Sequence, residues 1–152
     1  MFSFNMLLSV LALTLLVLSA EASTGGTPNH NYDLSGQALT DLYNTPVQKA
    51  EWMVRPLGNL PGIVGPVSHT GVRVKLDDDS EWLVHKGSGY GRSSQTVVTD
   101  AEHMSPAWET DRKINVERET TVSDLVDAGG ANYNPLCSNC HHATRDMERR
   151  LG

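Results

Sequence analysis

The clearest pattern along the chain is an alternation with period two. Residues 69–76 (HTGVRVKL) alternate polar and apolar, and 82–85 (WLVH) follow a DDDS turn, which together predict a β-hairpin. The apolar positions set its register. If Leu76 pairs with Ser80 across a three-residue loop, Val74 faces Trp82 and Val72 faces Val84. Val72, Val74, Leu76, Trp82 and Val84 then share one face, whereas an even loop would split them. In that register His85 opposes Gly71 and lies diagonal to His69 on the same face, about 7–8 Å away at Cα. The placement suits a cooperating pair; it equally suits two surface histidines with no joint role.

Elsewhere the pattern is weaker. Leu39, Leu42 and Tyr43 fall near helical spacing, so 33–52 is expected to hold a short helix interrupted by Pro46. Residues 57–66 (LGNLPGIVGP) and 87–94 (GSGYGRSS) read as loops, and Asn134-Pro135 as a turn. Residues 95–99 and 112–118 are expected strands. Thr121 and Asp124 form a T-x-x-D cap for a short helix stopped by Gly129-Gly130. The last helix is 140–151 with Asn139 as its N-cap. Cys140, Ala143, Met147 and Leu151 fall at i, i+3, i+7 and i+11, one apolar stripe. Helix, strands and a C-terminal helix in that order suggest an α+β domain.

The first 22 residues read differently. Residues 6–18 (MLLSVLALTLLVL) are apolar but shorter than the roughly 20 residues of a membrane span. They end in Ala20-Glu21-Ala22, an A-x-A cleavage pattern. Residues 1–22 are therefore expected to be a signal peptide, 23–35 a flexible lead-in and 36–152 one domain. Secretion as an extracellular monomer, with no stable membrane anchor after cleavage, follows as an expectation. The chain of 152 residues carries a formal charge of −6 and no Lys/Arg-rich run, which argues against nucleic acid as a partner. Two cysteines cannot make a disulfide-dense scaffold.

Those cysteines lie at the start of the last helix. A thiol at the first helical turn sits at the positive end of the dipole, beside backbone N–H groups that favour a thiolate. Arg145, Arg149 and Arg150 lie toward the other end, where cations are favoured. Cys140 is thus a candidate nucleophile, with a nearby imidazole able to complete its activation. Cys137 is a candidate redox partner, since a disulfide to Cys140 would mask the nucleophile. Two other readings share these residues. Cys137-Ser138-Asn139-Cys140-His141 spells the C-x-x-C-H of c-type haem attachment. The preceding chain is strand- and loop-rich, however, and Met147 lies too near the motif to reach the opposite haem face. Zinc has suitable donors in Cys137, Cys140, His141 and a remote histidine, without a second C-x-x-C or H-x-x-x-H to close the site.

Residues 133–142 (YNPLCSNCHH) resemble the region around the catalytic cysteine of the lecithin:retinol acyltransferase family, within the NlpC-like group of permuted papain folds. That family carries Asn-Cys-Glu-His-Phe at a helix start. Its paired strands, one beginning His-x-x-aliphatic and one ending in His, are similar to 69–72 and 83–87 here. The resemblance implies a small antiparallel sheet packed against the helix that carries the nucleophile. It implies Cys140 as nucleophile, His69 as its base and His85 as the group orienting His69. Asn139 supports the site as N-cap, and the Cys140 backbone N–H helps hold an oxyanion. The activity implied is thiol-based acyl transfer, or amide or ester hydrolysis, on a small-molecule, peptide or lipid-derived acyl substrate, without metal or other cofactor. A second class is a secreted binding or defence protein that keeps the fold without turnover. The chain departs from the family's pattern at His141 (Glu in the family), at Ala143 (Phe) and in a hairpin four residues longer.

Overall fold

The computed structural model describes residues 34, 36–57, 61–63, 65, 67–86, 96–132 and 139–152. The expected signal peptide, nearly all of the lead-in, the 87–94 loop, the Asn134-Pro135 turn and Cys137 lie outside the described residues. Helix α1 is Gly36–Asn44, α2 is Val122–Gly129 and α3 is Cys140–Leu151. Strands β1 (Val47–Pro56), β2 (Ser68–Leu76), β3 (Glu81–Lys86), β4 (Thr96–Asp100) and β5 (Glu109–Ile114) form one antiparallel sheet, ordered β4-β3-β2-β1-β5. The fold is α+β, with the helices gathered on one face of the sheet.

The β2–β3 hairpin has the register that its apolar residues demand. Val74 pairs with Trp82, Val72 with Val84 and Gly71 with His85. Leu76 N–H donates to Ser80 O at 2.9 Å across the three-residue loop. Asp79 takes the left-handed conformation (φ 67) that such a loop requires at its last position. Val72, Val74, Leu76 and Val84 are buried with Ala143, Met147 and Leu151 of α3 and Val122 and Leu125 of α2, and Trp82 packs against that core.

The starts of α2 and α3 follow from local chemistry. Thr121 accepts from Asp124 N–H, and the Asp124 carboxylate accepts from Thr121 N–H, a complete capping box. The Asn139 side chain accepts from His142 N–H at 3.2 Å and caps α3. The stripe of α3 is buried as its spacing requires, with Thr144 added to it.

Two expectations need correction. The helix expected within 33–52 ends at Asn44, and β1 takes up the chain from Val47 to Pro56. Strand β1 lies between β2 and β5 and buries Trp52 toward the helices and Met53 toward the other face. A strand apolar on both sides loses the alternation that identifies strands in sequence. The strand expected at 112–118 runs instead over Glu109–Ile114. Its outward positions are charged and exposed, which suits an edge strand.

The connection from β4 to β5 leaves one edge of the sheet and returns at the other. It opens with a 3-10 turn at Ala101–His103, capped by the Asp100 side chain, and carries Trp108 over the face opposite the helices.

Candidate active site

Residues of β2 alternate between the two faces. Ser68 and Thr70 turn toward α3: Ser68 Oγ lies 3.4 Å from His141 Nε2, and Thr70 Oγ1 lies 3.0 Å from Thr144 Oγ1. His69 turns the other way, onto the face that β3 shares through His85. There His69 Nε2 and His85 Nδ1 are 3.0 Å apart, with the rings edge to face. Gly71, opposite His85, makes this approach possible: a Cβ there would lie 2.9 Å from His85 Cβ and 3.0 Å from Val84 O. The Trp108 ring closes the group, 5.3 Å from His69 and 6.3 Å from His85.

The hydrogen bonds assign the protons. Lys86 O, 3.0 Å from His85 Nδ1, can only accept, so His85 carries its proton on Nδ1 and shares it with His69 Nε2. Thr99 Oγ1 lies 3.5 Å from His85 Nε2. Burial pushes the His69 pKa well below its ordinary value, with the charges of His85, Arg55 and His141 adding to the effect. Burial likewise lowers His85 to about 4, partly opposed by the bond to Lys86 O. Both rings are neutral at pH 7.

Cys140 begins α3 with a free thiol that is 7% exposed. Its Sγ–H donates to Ser68 O at 3.7 Å, and the same carbonyl accepts from His141 Nε2 at 3.0 Å. Among the described residues no hydrogen bond joins the thiol to His69. The expected stabilisation of a thiolate by the helix start is overturned by burial. Desolvation raises the Cys140 pKa, although Thr70 N–H and the first helical N–H groups pull it down. A few oriented dipoles do not replace the hydration lost by a buried anion. Thr144 Oγ1 donates to Cys140 O at 2.8 Å, so Thr70 donates in turn to Thr144. This threads β2 to the first turn of α3.

Sequence reasoning thus singled out Cys140, His69, His85 and Asn139, and the fold brings the two imidazoles into contact and starts the helix at Cys140 beside Ser68. It missed three buried polar groups. Arg55, directly opposite His69 on β1, is 7% exposed and places its guanidinium 5.3 Å from the Trp108 ring centroid. Lys86 is 1% exposed, and its Nζ donates to Gly130 O at 2.6 Å and Asn132 O at 2.8 Å, pinning the chain that runs toward Cys140. Thr144 completes the set. With β1 unread as a strand, no sequence signal put Arg55 on a face. Among the described residues no three His, Cys, Asp or Glu side chains gather to hold a metal ion.

No protein-family model, curated protein or solved structure matches this chain.

Proposed function

We propose that this is a secreted, cofactor-free domain of the NlpC-like permuted papain type that carries out thiol-based acyl chemistry, with Cys140 as nucleophile, His69 as base and His85 orienting His69. The observation that carries the reading is the buried imidazole pair at 3.0 Å, whose His69 directly follows the Ser68 carbonyl that accepts from the Cys140 thiol. At rest the neutral His69 carries its own proton on Nδ1. As base it gives that proton up to solvent and takes the shared one on Nε2, while His85 takes one from solvent on Nε2, beside Thr99 Oγ1; both rings stay neutral, and Nδ1 of His69 is free to take the thiol proton during attack. The sulfur leaves Ser68 O and adds to the acyl carbon; the leaving group departs with the proton returned by His69. Water or an acceptor alcohol or amine then resolves the thioester. With both groups neutral at rest, the proton moves during attack and not from a preformed ion pair.

The test is an activated ester such as p-nitrophenyl acetate with the full reduced chain. Intact mass should gain one acetyl group on Cys140, removable by hydroxylamine and absent from Cys140→Ser. A folded protein that never acquires the adduct between pH 6 and 10 sinks the reading. It would leave the second one, a binding or defence protein without turnover, which the buried, neutral thiol already favours.

A further inference from the structure

We infer that Arg55 is a positioning residue for Cys140: its guanidinium, not an imidazolium, supplies the positive charge that faces the Cys140 thiolate. The inference rests on Cys140 as the reactive thiol. Strand β1 ends at Pro56, and β2 starts opposite it at Ser68. At these strand ends Arg55 comes from the face opposite the helices and Cys140 from the helix face. The guanidinium folds back so that Arg55 Nη1 donates to Pro56 O at 3.3 Å, on the rung where Pro56 pairs with Ser68. The thiol reaches the same rung from the helix side, donating to Ser68 O at 3.7 Å. Trp108 covers the guanidinium, and Arg55 and His69 are direct cross-strand neighbours.

A buried guanidinium stays charged, since its proton is held far above neutral pH even after desolvation. It therefore acts in opposite senses on its neighbours. It opposes a second positive charge on His69 and His85, and both are lowered partly by it. It favours negative charge on Cys140: burial lowers the Arg55 pKa, and the charge of Cys140 partly opposes that lowering. Among the described residues, the other titratable groups near the pair are His69 on β2, His85 on β3 and His141 on α3. A thiolate opposite a permanent cation ionises in one step that ignores histidine protonation. A thiolate held by an imidazolium loses its partner when that ring deprotonates or is removed.

The experiment is alkylation of the reduced, full-length Cys137→Ser protein with iodoacetamide across pH 5–11, with Cys140 followed by mass spectrometry. The thiolate forms the S–C bond, iodide leaves, and the thiol proton goes to solvent. The rate should rise through a single midpoint that His69→Ala leaves in place. Arg55→Met should move the midpoint up by about one to three pH units, and Arg55→Lys should restore most of it. An unchanged midpoint in Arg55→Met, with near-UV circular dichroism intact, overturns the inference. If Arg55→Met does not fold, Arg55→Gln, which removes the charge and keeps a polar side chain of similar length, decides. A raised midpoint in Arg55→Gln supports Arg55, and an unchanged one, or one raised by His69→Ala, overturns it. Because alkylation reads ionisation and not turnover, a protein that shows the Arg55 shift yet forms no acyl adduct retains this inference and loses the proposed function.

Discussion

The buried imidazole pair makes folding stability depend on pH in a way that His85 allows to be worked out. His85 lies at about 4 in the folded chain, against its ordinary value of 6.5. The folded pKa is depressed, so protons bind the unfolded state more tightly. Stability is fully present above pH 6.5 and is lost as pH falls toward 4. One such group costs about 2 kcal/mol at pH 5 and about 3 kcal/mol at pH 4. His69 shifts in the same direction and adds to the loss. The perturbation is His85→Asn, which removes the titrating ring and keeps a polar group near Nδ1. Urea unfolding followed by tryptophan fluorescence at pH 7.5, 6 and 5 measures both proteins. The window stops at pH 5 because Asp78, Asp79 and Asp124, all held below their usual values, begin to destabilise the fold below the ordinary carboxylate range. The variant starts less stable at pH 7.5 from lost packing. Between pH 7.5 and 5 it should lose about 2 kcal/mol less than the parent. Equal losses, with equal dependence on urea concentration, refute the buried neutral imidazole.

Three further substitutions probe how the site is held. Gly71→Ala forces a methyl group to within 2.9 Å of His85 Cβ; it should destabilise by about 1–3 kcal/mol and displace the imidazole resonances of both histidines in NMR spectra. Met147→Ala empties a fully buried position of the α3 stripe and should cost about 2–5 kcal/mol by urea unfolding. Thr121→Ala removes half of the α2 capping box and should cost about 1 kcal/mol in the same assay, without changing Cys140 alkylation.

What the chain determined by itself is local or periodic. The hairpin register follows from five apolar residues and a period of two, and with it the adjacency of His69 and His85. The start of α3 at Cys140 follows from Asn139, and the start of α2 from the Thr121–Asp124 box, because a cap satisfies donors only a few residues away. The tertiary structure decided the rest. Periodicity groups residues on a face but does not say what covers it. The helices took the Val72–Val84 face, and Trp108 with Arg55 took the histidine face. Strand β1 escaped detection because a central strand packs on both sides. The ionisation of the thiol reversed direction for the same reason. A helix start is written in the sequence, but the loss of water around Cys140 comes only when β2 and α3 close over it, and that desolvation outweighs the nearby dipoles.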